Sequence, residues 1–213
     1  DSEWVETYQG GNNAGHTVEI GNEKYVLHLT PSGILRDSCK CVIGNGLVVD
    51  IVGLKEELQE LENRGISLED RFFISDRAHI VFPYHKVIDG AKERNRSKND
   101  KIGTTKRGIG PAYSDKSDRI GLRMGDIFET DFYDKIEKIT VSKNITLDLL
   151  GEEQINISTM ISEIKEAVEY LRPFVCDTLV LLNKAIRNNE KILFEGAQGI
   201  MLDIDYGTYP FVT

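Results

Sequence analysis

The spacing of apolar and polar positions changes several times along the chain, and each change marks an element. From Thr17 to Leu29, "TVEIGNEKYVLHL" reads as two strands about the turn Gly21-Asn22. "CVIGNGLVVD", from Cys41 to Asp50, predicts one more short strand with a Gly-Asn-Gly turn. Leu54, Leu58 and Leu61 then recur at helical spacing, and Gly65 is placed to stop that helix. "RFFIS", from Arg71 to Ser75, reads as a buried strand. A polar helix carrying Val87, Ile88 and Ala91 follows. It runs into the charged stretch "AKERNRSKNDK", from Ala91 to Lys101, which reads as solvated surface. Ile157, Ile161, Ile164, Val168 and Leu171 form a helical stripe that Pro173 ends or kinks. Val175, Leu179, Leu182 and Ile186 form a second, and both stripes are expected to face the core. "KILF", from Lys191 to Phe194, is a short apolar strand leading straight into "EGAQG".

Strands alternating with helices predict an α/β domain with a mostly parallel central sheet flanked by helices. No internal repeat or linker divides the chain, so residues 1–213 read as one domain. The length of 213 residues suits a single core of that kind.

Charge narrows the class of partner. The net charge of -9 argues against nucleic acid, although a local basic patch could still hold a small anion. No apolar run reaches the length of a membrane span, and no signal-peptide pattern opens the chain. The three cysteines, Cys39, Cys41 and Cys176, are odd in number and lack metal-ligand spacing. Free, mostly buried thiols in a reducing, cytoplasmic setting are the expectation.

In parallel sheets, ligands bind beyond the carboxyl ends of the strands. Three segments could form that rim. "YQGGNNAGHT", Tyr8 to Thr17, combines three glycines, Asn12, Asn13 and His16. Its glycines allow close backbone approach, and its histidine can exchange a proton near neutral pH. Taken alone, it could equally be a tight turn with a hydrogen-bonded histidine. "IGTTKRGIGPAYSDKSDRIGLR", Ile102 to Arg123, gathers Thr104, Thr105, glycines, Lys106, Arg107, Lys116, Arg119 and Arg123. That composition suits a phosphate. "FEGAQGIMLDIDYGTYPFVT", Phe194 to Thr213, brings Glu195 and Gln198 just after a strand. Gln198 can both donate and accept at the edge of a purine-type ring. Asp203 and Asp205 have no His or Glu at ligand spacing, so a hydrogen-bonding role is expected for them. The sequence contains no G-x-x-x-x-G-K-[ST] loop and no G-x-S-x-G elbow.

These segments, together with "LHLTPSGIL", resemble the adenylosuccinate synthetase family in order and spacing across nearly the whole chain. Likeness is weak only between Thr130 and Asn156. The family also has a "GDEGKGK"-type phosphate loop before the matched part, and further segments after "TYPFVT". The resemblance therefore implies a P-loop-NTPase-like fold, incomplete at both ends.

It also implies a Mg²⁺-dependent ligation in AMP biosynthesis. GTP phosphorylates O6 of IMP, and the amino group of L-aspartate displaces the phosphate from this 6-phosphoryl-IMP. By resemblance, His16 is catalytic. Asn13, Ala14, Gly15, His16, Thr105, Arg119, Gln198 and Thr213 contact IMP. Gly15, His16 and Thr17 lie along GTP, and Gly15 ligates Mg²⁺ through its carbonyl. Arg119 crosses a homodimer interface to the partner's IMP. This stretch by itself is expected to be inactive, and a non-catalytic nucleotide-binding or dimerisation fragment is the alternative.

Overall fold

The computed structural model describes residues 2–13 and 15–212. Its strands are β1 (Trp4–Thr7), β2 (His16–Ile20), β3 (Glu23–Leu27), β4 (Lys40–Ile43), β5 (Val48–Asp50), β6 (Phe72–Ser75), β7 (His79–Val81), β8 (Val175–Cys176) and β9 (Ile192–Glu195). Its helices are α1 (Ile51–Asn63), α2 (Pro83–Asn95), α3 (Ile109–Asp118), α4 (Phe132–Leu149), α5 (Ile157–Leu171) and α6 (Thr178–Arg187). The central sheet runs β8-β6-β4-β1-β9, and every pairing in it is parallel. β2 and β3 form an antiparallel hairpin about Gly21, and β5 pairs in parallel with β7. The mostly parallel α/β class expected from the sequence is the one observed.

Period-two alternation divides the sheet's two faces. Val5, Cys41, Ile43, Phe72 and Ile74 point into the main core, with Leu54, Leu58 and Leu61 of α1 and Ile164, Val168 and Leu171 of α5. Trp4, Val42, Phe73 and Ile192 point the other way, onto Leu182 and Ala185 of α6. A sheet covered on both faces needs this double set of apolar side chains.

α1 starts where the side chain of Asp50 accepts from Gly53 N–H, and the chain leaves it through Gly65 at φ 85°. Asn156 caps α5 and Asp177 caps α6 in the same way. α5 ends as the stripe predicts, in a short 3₁₀ turn containing Pro173. The charged stretch is surface from Arg94 onward, but Glu93 within it is buried. Its carboxylate accepts Gly103 N–H at 2.8 Å, tying the basic glycine loop to α2.

Two expectations change. "CVIGNGLVVD" is two strands in two sheets, because the Gly44–Gly46 turn redirects the chain. A Cβ on Gly46 would lie 2.0 Å from the Tyr8 carbonyl oxygen, so only glycine fits there. The second stripe is not one core-facing helix. Val175 belongs to β8, and on α6 Leu182 is buried while Leu179 and Ile186 are more than half exposed. A single sheet face contacts α6, and one narrow line of side chains satisfies it.

A buried polar cluster joins three helices. Phe82 N–H donates to His85 Nδ1 at 2.9 Å, so the ring's proton sits on Nε2 and is donated to Asp115 Oδ2, also at 2.9 Å. Lys143 of α4 holds the other oxygen of Asp115. Burial raises the Asp115 carboxyl, but the hydrogen bonds from His85 and Lys143 outweigh this and hold it below its usual range. Burial keeps His85 below its usual value despite Asp115.

His79 on β7 is different. Burial, then the charges of Lys116 and Arg123, push it from 6.5 down to about 4. Its Nδ1 has no hydrogen-bond partner among the described residues. Because the unfolded chain binds this proton first, stability is complete above about pH 6.5 and declines as pH falls toward 4. Urea unfolding of His79→Gln across pH 4 to 7 is expected to show a shallower acid decline than the parent.

Candidate active site

Parallel pairing aligns the carboxyl ends of β1 and β9, with Thr7 opposite Glu195. The first glycine loop leaves one strand there, and "GAQG" leaves the other. Gly10, at φ 91°, turns the first loop tightly against the second: a Cβ on it would lie 2.6 Å from Ala197 Cβ. Asn13 and Gln198 consequently meet, with Gln198 Nε2 donating to Asn13 Oδ1 at 3.3 Å.

His16 begins β2 and remains partly exposed. Its Nδ1 lies 3.1 Å from Glu195 Oε1. The other oxygen of Glu195 accepts Ser32 N–H at 3.0 Å, so the carboxylate is fixed from both sides. A carboxylate at Nδ1 requires a proton on that nitrogen. Nε2 is thereby left to act on a ligand.

Beneath the loop, Asn12 is buried and donates to Asp50 Oδ2 at 2.9 Å. Lys86 of α2 reaches the same oxygen. A Cβ on Gly15 would be 3.0 Å from the His28 ring, so this glycine lies close to the outgoing hairpin strand. Thr17, the next residue after His16, is exposed on the hairpin.

Of the residues expected at the site, the structure joins Asn13 to Gln198 and sets His16 against Glu195, three positions before Gln198. Ala14 and Thr213 lie outside the described residues. Thr105 is exposed on the basic loop, which Asp89 anchors by accepting from Thr104 Oγ1 and Gly108 N–H, each at 2.9 Å. Arg119 is exposed at the C-terminal cap of α3, in the left-handed region at φ 62°. Among the described residues, no hydrogen bond or ion pair joins Thr105 or Arg119 to Asn13, His16 or Gln198. Asp203 takes the hydrogen-bonding role expected of it, accepting from the N–H groups of Asp205 and Tyr206.

The sequence put Glu195 on the candidate rim but did not show it as the partner of His16, nor Asp50 and Ser32 as supports. Glu195 gave the one available signal, a carboxylate at the end of an apolar strand. Cavities of about 390 Å³ beside Arg96 and Phe211 and about 340 Å³ between Glu6 and α6 contain none of the clustered residues. His16, Asn13 and Gln198 form an open polar rim.

Fold and rim together define a parallel α/β protein with glycine-rich loops gathered at the carboxyl edge of the sheet. The adenylosuccinate synthetase family model matches residues 1–213, and the chain belongs to that family. It is 51% identical to the adenylosuccinate synthetase of Endomicrobium trichonymphae and 50% identical to that of a Bacillus cereus strain. Each alignment covers 100% of this chain and 49% of the relative, so the chain spans about half the length of these curated relatives. The fully ligated adenylosuccinate synthetase of Plasmodium falciparum superposes with a TM-score of 0.90 at 39% identity, over 100% of this chain and 49% of that one. Cyanophage S-2L succinoaminodeoxyadenylate synthetase shares the fold, with a TM-score of 0.61 at 21% identity over 98% of this chain and 47% of that one.

Asp50 carries the support of the rim, since it caps α1, holds Asn12 and meets Lys86. Asp50→Ala is expected to cost about 2–3 kcal/mol, from a lost cap and an unsatisfied buried amide. Asp50→Asn, which keeps the cap but turns an NH2 toward Asn12 Nδ2 and Lys86, should recover only the cap's share of that cost in urea unfolding.

Proposed function

We propose that the full-length protein carrying this chain ligates IMP and L-aspartate to adenylosuccinate, with GTP as phosphoryl donor, in the cytoplasm. The observation that carries this reading is His16, held by Glu195, beside the Asn13–Gln198 pair on the carboxyl rim. The amide pair suits the edge of a purine base, and the imidazole suits an oxygen on which charge builds.

The ring oxygen of IMP is a poor leaving group until it carries a phosphoryl group. Transfer from GTP is then a matter of positioning and charge stabilisation, with the N1 proton of IMP passing to a general base as O6 takes the phosphoryl group and GDP leaves. With Nδ1 committed to Glu195, a proton on Nε2 makes His16 a donor toward O6, and the carboxylate balances the resulting charge. The amine of aspartate next forms the bond to C6, and the C6–O bond breaks with release of phosphate. Thr105 would grip the IMP phosphate, and Gly15, His16 and Thr17 would lie along GTP. Ala14 and Thr213 complete the proposed IMP contacts.

Mg²⁺ would supply charge neutralisation on the transferring phosphates. Among the described residues, no three His, Cys, Asp or Glu side chains converge to hold a metal. The Gly15 carbonyl offers a single oxygen, a donor type that Mg²⁺ accepts when phosphate oxygens and water complete its shell.

The reading is tested by assaying adenylosuccinate formation from IMP, GTP and aspartate with the sequence expressed at the length of its relatives. His16→Ala is expected to fold and to lose ~10²- to 10³-fold in kcat, the usual cost of removing a positioned acid or oxyanion donor. Near-normal turnover would refute the role of His16.

Arg119 extends the proposal to a homodimer in which each IMP site borrows this residue from the partner. Arg119→Leu should raise the KM for IMP while leaving GTP largely unaffected. At IMP concentrations well below that raised KM, where neither homodimer turns over appreciably, mixing Arg119→Leu and His16→Ala subunits should restore activity. One hybrid site then has its own His16 and an intact Arg119 from the other subunit. Confirmed subunit exchange with no recovery would place Arg119 in its own subunit's site.

A further inference from the structure

The Tyr113 phenol of α3 stands between the basic loop and the first glycine loop. Its oxygen accepts Gly10 N–H at 2.9 Å and donates to the Gly46 carbonyl at 2.7 Å. Gly46 belongs to the turn that must be glycine because it lies against the Tyr8 carbonyl. The Gly10 carbonyl accepts Val48 N–H at 2.9 Å. Gly10 is thus held by both of its backbone polar groups, at the left-handed turn from which Asn12 and Asn13 project.

The rest of α3 is fixed as well. Gly108, at its start, packs on the α2 backbone, where a Cβ would be 2.8 Å from His85 C. Ile109 Cδ1 would lie 2.5 Å from a Cβ on Gly11. Asp115, two residues beyond Tyr113, is clamped by His85 and Lys143. The Lys116 ammonium lies 5.8 Å from the centre of the Tyr113 ring. Burial raises the phenol above its usual range, against the pull of Gly10 N–H, so it remains protonated and able to donate to Gly46.

We propose that Tyr113 is a positioning residue for the ligation, one that sets the Gly10 turn and through it the placement of Asn13 against Gln198. It touches no reacting atom. Its hydroxyl fixes the backbone that carries Asn13, and its ring lies beside Lys116. The inference rests on the proposed reading of the rim as the IMP site. The structural half of its test, however, needs no turnover.

Tyr113→Phe retains the ring and its packing and removes both hydrogen bonds. In the full-length protein, amide hydrogen exchange at Gly10–Asn13 is expected to quicken at least 10-fold, while exchange in α5 remains as in the parent. If the parent makes adenylosuccinate, the variant should show a 10- to 100-fold lower kcat with a KM for GTP within about threefold. Thr140→Val, which alters a buried hydroxyl bonded within α4, serves as the stability control and should leave the GTP and IMP parameters unchanged. An inactive parent would remove the rim reading and leave the exchange result to judge Tyr113. Unchanged exchange at Gly10–Asn13, or a kcat within twofold of an active parent, would overturn the proposal. So would a Thr140→Val enzyme that loses kcat as Tyr113→Phe does. Should Tyr113→Phe not fold, Gly46→Ala offers no substitute, because it clashes with Tyr8. Tyr113→His, which restores one acceptor near Gly10, would then be expected to fold with intermediate exchange, and parent-like exchange in it would count against the proposal.

Discussion

The parallel pairing of β1 with β9 is the contact on which the site depends. It joins residues 4–7 to residues 192–195 in a strict register, Trp4 opposite Ile192 and Thr7 opposite Glu195. Trp4 Nε1 donates to Glu190 at 2.5 Å, and Lys191 N–H donates to Glu3 at 2.7 Å, so the pairing is anchored at its amino end as well. Only this register places Glu195 against His16 and Gln198 against Asn13. A slip of one residue would turn Glu195 to the other face of the sheet.

Around that contact, the glycines act as spacers and the carboxylates as anchors. Gly10, Gly11 and Gly46 let three backbone segments approach more closely than any side chain would permit. Asp50, Asp89, Glu93 and Glu195 each accept backbone or side-chain donors of a loop that has no regular hydrogen-bonding partners of its own. Loops held this way behave as extensions of the rigid scaffold, which is what a positioned catalytic group requires. The acidic composition thus has a structural use, and the basic loop keeps Thr105, Arg107 and Arg119 facing outward.

The longer elements were readable because their apolar spacing is periodic. α1, α5, the β2–β3 hairpin and β6 all fall where the pattern puts them. β1 escaped because it buries Glu6 and Thr7 among its four residues, which hides the apolar signature of a central strand. α4 carries exposed Val141, Ile145 and Leu149 opposite its buried Phe132, Ile136 and Leu147, so its two faces differ little in hydropathy. Leu179 and Ile186 likewise carry the helical period of α6 without being buried.

By itself the sequence determined the α/β class and the glycine loops, and it singled out His16, Asn13 and Gln198 as candidates, because short-range spacing and residue chemistry are local properties. It also carried the family likeness, which rests on the order of those same loops. Tertiary structure alone decided which loops meet. Glu195 beside His16, Asp50 beneath Asn12 and Tyr113 under Gly10 are contacts between residues 179, 38 and 103 positions apart. Such contacts follow from strand order and register, which are settled by how the whole chain buries its apolar surface.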